Sequence, residues 1–69
     1  MKRYFLLQTQ NGMFIRNLSE TFRDVEDFIL EQNIESATKF SEIRVEYIRE
    51  SWGTILYNKF GYIELIEVL

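Results

Sequence analysis

The chain contains no cysteine, no proline and no histidine, and only three glycines. Without cysteine there is no disulfide, and without cysteine or histidine no tetrahedral zinc site of the usual kind can form. The acid–base and nucleophilic groups that work near neutral pH are missing too, and Ser19, Ser36, Ser41 and Ser51 stand in no motif that would activate a hydroxyl. Glycines at 12, 53 and 61 are too far apart to build a phosphate-cradling loop. Nowhere does an apolar run approach the roughly 20 residues of a membrane span, and Tyr4–Leu7 falls far short of the apolar stretch of an export signal. These absences exclude most enzyme classes and predict no catalytic residues, no cofactor and no metal. The expected setting is cytoplasmic, or inside a host cell, and compact cysteine-free chains of this size suit a phage or other mobile element.

What is present is an aromatic-rich composition: 46% of the 69 residues are hydrophobic and 16% are Phe, Trp or Tyr. That length allows a single domain, 1–69, with a modest core. Below roughly 70–80 residues one core seldom supplies more than about 3–5 kcal/mol, so large rings or burial against another chain must supply the rest. Eight basic against eleven acidic side chains give a net charge of −3. The basic residues are scattered, which argues against nucleic acid, since affinity for phosphate backbones comes from clustered Lys and Arg.

The chain reads as organised around Leu18–Gln32. On a helical wheel Leu18, Phe22, Val25 and Ile29 share one face while Glu20, Asp24, Asp27 and Glu31 share the other. Ser19 or Thr21 can cap its start, and Asn33 is a candidate left-handed terminator. Ahead of it, Asn11-Gly12 between KRYFLLQT and Met13–Arg16 is a strong hairpin signal. A two-residue loop there would pair Gln10 with Met13 and Gln8 with Ile15. Downstream, Ile43, Val45 and Tyr47 alternate with Arg44 and Glu46, which predicts a strand over 42–49; a second helix over 35–50 is the competing reading. A turn at 49–53, a strand at 54–57, a turn at 58–61 and a last strand from Tyr62 to Val68 complete a ββαβββ pattern. The class is α+β, a small antiparallel sheet with one amphipathic helix packed on a face. One helix cannot cover both sides of such a sheet. The last strand accordingly carries apolar residues both ways, Tyr62, Ile66 and Val68 against Ile63, Leu65 and Leu69, and surplus of this kind marks an interaction surface.

Two features carry a functional reading. Glu20, Asp24, Asp27 and Glu31 would line one helix face with carboxylates, the solvent side of an amphipathic helix or a surface that steers toward a basic partner. Trp52 beside Gly53, with Phe60 beside Gly61 and Tyr62, would place large rings at turns, where they either close the core or anchor an interface. The closest carboxylates, Asp24 with Glu26 and Asp27, or Glu64 with Glu67, read as solvated surface rather than an acid–base pair. The sequence therefore points to a non-enzymatic protein-binding module, an inhibitor or adaptor, with Glu20, Asp24, Asp27, Glu31, Trp52, Phe60 and Tyr62 as partner-binding residues. Two other readings stand beside it: a homodimer that buries its sheet surplus against itself, and a nucleic-acid binder acting through Arg44, Arg49 and the aromatics.

Overall fold

Strand formation begins where apolar and branched side chains alternate with polar ones. The computed structural model describes residues 2–18 and 27–68, and places strand β1 at Tyr4–Thr9, β2 at Phe14–Asn17, β3 at Phe28–Glu31 and β4 at Phe40–Ser41. Helix α1 follows at Glu42–Phe60 and strand β5 at Ile63–Val68. All pairings are antiparallel, and β1 is central. Along one edge β1 meets β5 over its full length, from Tyr4 opposite Val68 to Thr9 opposite Ile63. Along its other edge it meets β2 and β4, and β3 joins outside β2. The α+β class is present as expected: among the described residues there is a five-stranded antiparallel sheet with one α-helix, and the elements run in the order ββββαβ.

The described helix lies further along the chain than the one the sequence suggests. Phe28–Glu31 is a strand paired with β2, from Phe14 opposite Glu31 to Asn17 opposite Phe28, so the helix expected over Leu18–Gln32 does not extend through this segment. Phe28, not Ile29, is the fully buried residue, because in a strand alternate residues face opposite sides. Residues 19–26 of that expected helix lie outside the described residues. Asn33 is extended rather than left-handed, and its side chain accepts from the Glu35 N–H at 3.0 Å to start a short 3₁₀ turn at Ile34–Ser36.

The strands expected at 42–49 and 54–57, and the turn at 49–53, are instead one helix of 19 residues. Ser41 caps it, its hydroxyl accepting from the Arg44 N–H at 3.3 Å. Gly61 ends it with φ of 80° and ψ of −156°, a conformation almost reserved for glycine, while its N–H donates to the Tyr57 carbonyl at 2.7 Å. Val45, Ile48, Trp52 and Leu56 recur at helical spacing, and they point inward.

The hairpin forms, but with one more loop residue than expected. Gln8 pairs with Phe14, and Thr9 closes a loop of Gln10, Asn11 and Gly12 by donating its N–H to the Met13 carbonyl at 2.8 Å. Gly12 at φ 85° supplies the left-handed residue that such a three-residue loop requires. A shift of one residue exchanges the faces of a strand, and this register sets Leu7 opposite Ile15. Those two residues, with Phe28, Phe40, Val45, Ile48 and Leu56, form the buried core between the sheet and α1.

Candidate functional site

Helix α1 packs over the buried face of the sheet and leaves part of β5 exposed, with Leu65 on that face open to solvent. The result is an open groove of about 270 Å³ between α1 and β5. Leu7 and Leu65 form its floor, Val45 and Leu56 its helix wall, and Tyr57 and Tyr62 one end. Leu65 is 37% exposed, Tyr57 60% and Tyr62 59%, so large apolar surface faces solvent. At the groove the helix wall carries Gly53. A Cβ added there meets nothing within 4 Å, so a missing side chain widens the groove. The other two glycines answer to positive φ; Gly53 does not.

Strand β5 is also an edge. Among the described strands it pairs with β1 alone, which leaves a row of backbone N–H and C=O groups directed away from the sheet. Register divides its side chains: Ile63, Leu65 and Glu67 share the helix-covered face with Thr9, Leu7 and Phe5, whereas Glu64, Ile66 and Val68 share the opposite face with Gln8, Leu6 and Tyr4. Groove and strand edge thus adjoin.

The charges around this region sort into paired and unpaired. Arg3 forks onto Glu67 with hydrogen bonds of 3.0 and 2.9 Å, and reaches Glu42 at 3.9 Å. The hydrogen bond from Arg3, helped by its charge, holds the Glu67 carboxyl below the usual carboxylate range. The side chains of Glu46, Glu50 and Glu64 are exposed and make no ion pair or hydrogen bond among the described residues, and the same is true of the Arg49 side chain on the groove wall.

The residues singled out in the sequence separate. Glu20 and Asp24 lie outside the described residues. Asp27 is half-buried just before β3, its carbonyl accepting from the Leu18 N–H at 2.7 Å. Glu31 ends β3 and pairs with Arg16 across the sheet at 3.3 Å. Asp27 and Glu31 are therefore not successive carboxylates on a helix face, and one of them is already neutralised. Trp52 and Phe60 do not sit in turns: both are half-buried on α1 against the core, with the Trp52 ring 5.9 Å from Phe28 at 52° and the Lys59 ammonium 5.2 Å from the Phe60 ring. Of the five that are described, Tyr62 is the one that lines the groove. Arg44 and Arg49, five positions apart, stand about 140° apart around α1 and form no common basic track. Leu65 belongs to the apolar surplus expected of the last strand, whereas the groove residues Leu7, Val45, Gly53, Leu56 and Tyr57 were not expected at a site. The available signal was the helical spacing of Val45, Ile48, Trp52 and Leu56.

Comparison of the chain with protein-family models, with curated proteins and with solved structures finds no match. Among the described residues no helix is long and apolar enough to cross a membrane, and no cluster of three carboxylates is placed to hold a metal ion.

Proposed function

We propose that the chain is a non-enzymatic protein-binding module, an inhibitor or adaptor, that takes an extended segment of a partner protein along the outer edge of β5. Main-chain hydrogen bonds to the edge supply affinity, and alternate side chains of the segment enter the groove beside α1 and supply specificity. The observation that carries this reading is the conjunction of an open apolar groove with a strand that, among the described residues, is paired on one side only. The lining is mostly aliphatic and aromatic carbon, and among the described residues Arg49, Tyr57 and Tyr62 are its titratable side chains, which favours recognition over chemistry. A volume of about 270 Å³ lies just under the usual range of small-molecule sites and fits one or two large apolar side chains. The expected place of action is the cytoplasm, in keeping with a small chain that relies on no disulfide.

Selection from a random displayed peptide library tests this directly. Peptides enriched on the wild-type protein are expected to lose binding to Gly53→Leu, a variant whose new side chain fills the groove and whose fold is verified by circular dichroism. No enrichment, or equal binding to both proteins, would contradict the proposal.

A further inference from the structure

Resting on the groove-and-edge reading, we infer that the segment taken is a basic one, with apolar side chains alternating with Lys or Arg. In a strand added to β5, successive side chains fall on opposite faces. Those on the helix-covered face lie beside Ile63 and Leu65 and reach into the groove; those on the other face lie beside Glu64 and Ile66. The first set must be apolar, because the groove floor and walls are Leu7, Val45, Leu56 and Leu65. For the second set, Glu64 is exposed and without an ion-pair partner among the described residues, and an opposite charge directly across a strand pair is favourable.

The helix side of the groove adds to this. Glu46 and Glu50, one turn apart, share the side of α1 that carries Gly53 and Tyr57, and both are exposed and unpaired among the described residues. Arg49 opposes them, but it follows Glu46 by three positions and adjoins Glu50. Glu46 also borders a neighbouring hollow with Lys2 and Arg3, so beside the groove itself Glu50 and Glu64 stand against Arg49, and the balance at the rim is negative, in the sense of the whole chain's net charge of −3. A basic segment is drawn toward such a rim and an acidic one is slowed. A second copy of this chain is the poorer occupant. Its β5 offers the free carboxylate of Glu64, with Glu67 already held by Arg3, and no cation, so self-pairing gives Glu64 no opposite charge across the strands.

Two synthetic peptides decide the matter. They share the same Val and Leu at alternate positions and carry Lys or Glu at the others, and their binding is read by fluorescence anisotropy at low and at physiological salt. The Lys peptide is expected to bind at least about tenfold more tightly at low salt, with the advantage shrinking as salt screens the rim. Glu64→Lys is expected to weaken the Lys peptide by about fivefold and to strengthen the Glu peptide. Equal or tighter binding of the Glu peptide would overturn the inference and make Arg49 the determinant, as would a Glu64→Lys variant with unchanged preference. If neither peptide binds while library-selected sequences do, the inference fails and the groove reading stands; if the library also yields nothing, both fail. A concentration-dependent dimer in analytical ultracentrifugation that Leu65→Arg abolishes would identify a second copy as the occupant and refute the basic segment.

Discussion

Replacing Gly53 by alanine should make this protein more stable. A glycine in a helix interior costs about 1 kcal/mol relative to alanine, because it surrenders more backbone freedom on folding. Position 53 is interior to Glu42–Phe60, and an added Cβ meets nothing within 4 Å, so no clash offsets the gain. For a domain of this length a gain of about 1 kcal/mol raises Tm by roughly 4–8 °C. That is a large effect where total stability is about 3–5 kcal/mol. Leucine has nearly the helix propensity of alanine and would also lay its side chain against Leu7, Leu56 and Leu65, so Gly53→Leu should melt no lower than the wild type. Thermal unfolding followed by circular dichroism reads both variants. A Tm unchanged or lowered in Gly53→Ala would refute a mid-helix position facing open space. A Tm lowered in Gly53→Leu alone would refute an open groove.

Other positions make separate demands. Phe28→Ala should cost about 3–5 kcal/mol, close to the whole stability, because this ring is fully buried beside Trp52; a native-like near-ultraviolet spectrum at 25 °C would contradict that packing. Gly12→Ala should cost roughly 1–2 kcal/mol in urea unfolding, since residue 12 holds φ 85°, and a cost near zero would mean that the loop is built otherwise. Ser41→Ala should cost about 1 kcal/mol through loss of the helix cap, measured in the same way. The hydrogen bonds and charge of Arg3 hold the Glu67 carboxyl below its ordinary value. A carboxyl lowered in the folded state adds stability above the ordinary glutamate value of about 4.3 and gives it up as pH falls through the lower folded value. Both side chains are exposed, so the contribution is small. Between pH 5 and 3 the Tm of Glu67→Gln should therefore fall less steeply than that of the wild type, and parallel curves would refute the linkage.

The hairpin was legible because Asn11-Gly12 is local turn chemistry between two apolar runs. Its register was not, since the same dipeptide serves loops of two and of three residues, and only the burial of Leu7 against Ile15 selects between them. Helix α1 was obscured by its own surface. Ile43, Tyr47, Ile55 and Tyr57 are exposed, with Ile43 80% accessible, so apolar residues surround the helix and the inward spacing of Val45, Ile48, Trp52 and Leu56 stands out poorly. Alternation of Ile43, Val45 and Tyr47 then imitates a strand, and Gly53 imitates a turn. Phe28-Ile29-Leu30 misled in the opposite sense, because three consecutive apolar residues fit a helix face or a strand covered on both sides, and pairing with β2 decides for the strand. The expected acidic face depended on that helix, and it dissolves over Asp27–Glu31 with it. The surplus apolar surface of the last strand was legible, because Ile63–Val68 alternates with too few polar residues to solvate either face. That the surplus borders a groove was not, since the groove exists only once α1 is placed.

The location of the bound segment is the most direct test. Amide and methyl chemical shifts of the isotope-labelled protein, recorded with a peptide enriched in the library selection, should move most at Ile63–Val68 and at Leu7, Val45, Leu56 and Tyr57, and the amides of β5 should gain protection from hydrogen exchange. Shifts centred instead on Tyr4, Phe14 and Ile29 of the opposite sheet face, or on Ile43 and Tyr47 of the outer helix surface, with β5 unprotected, would contradict the account.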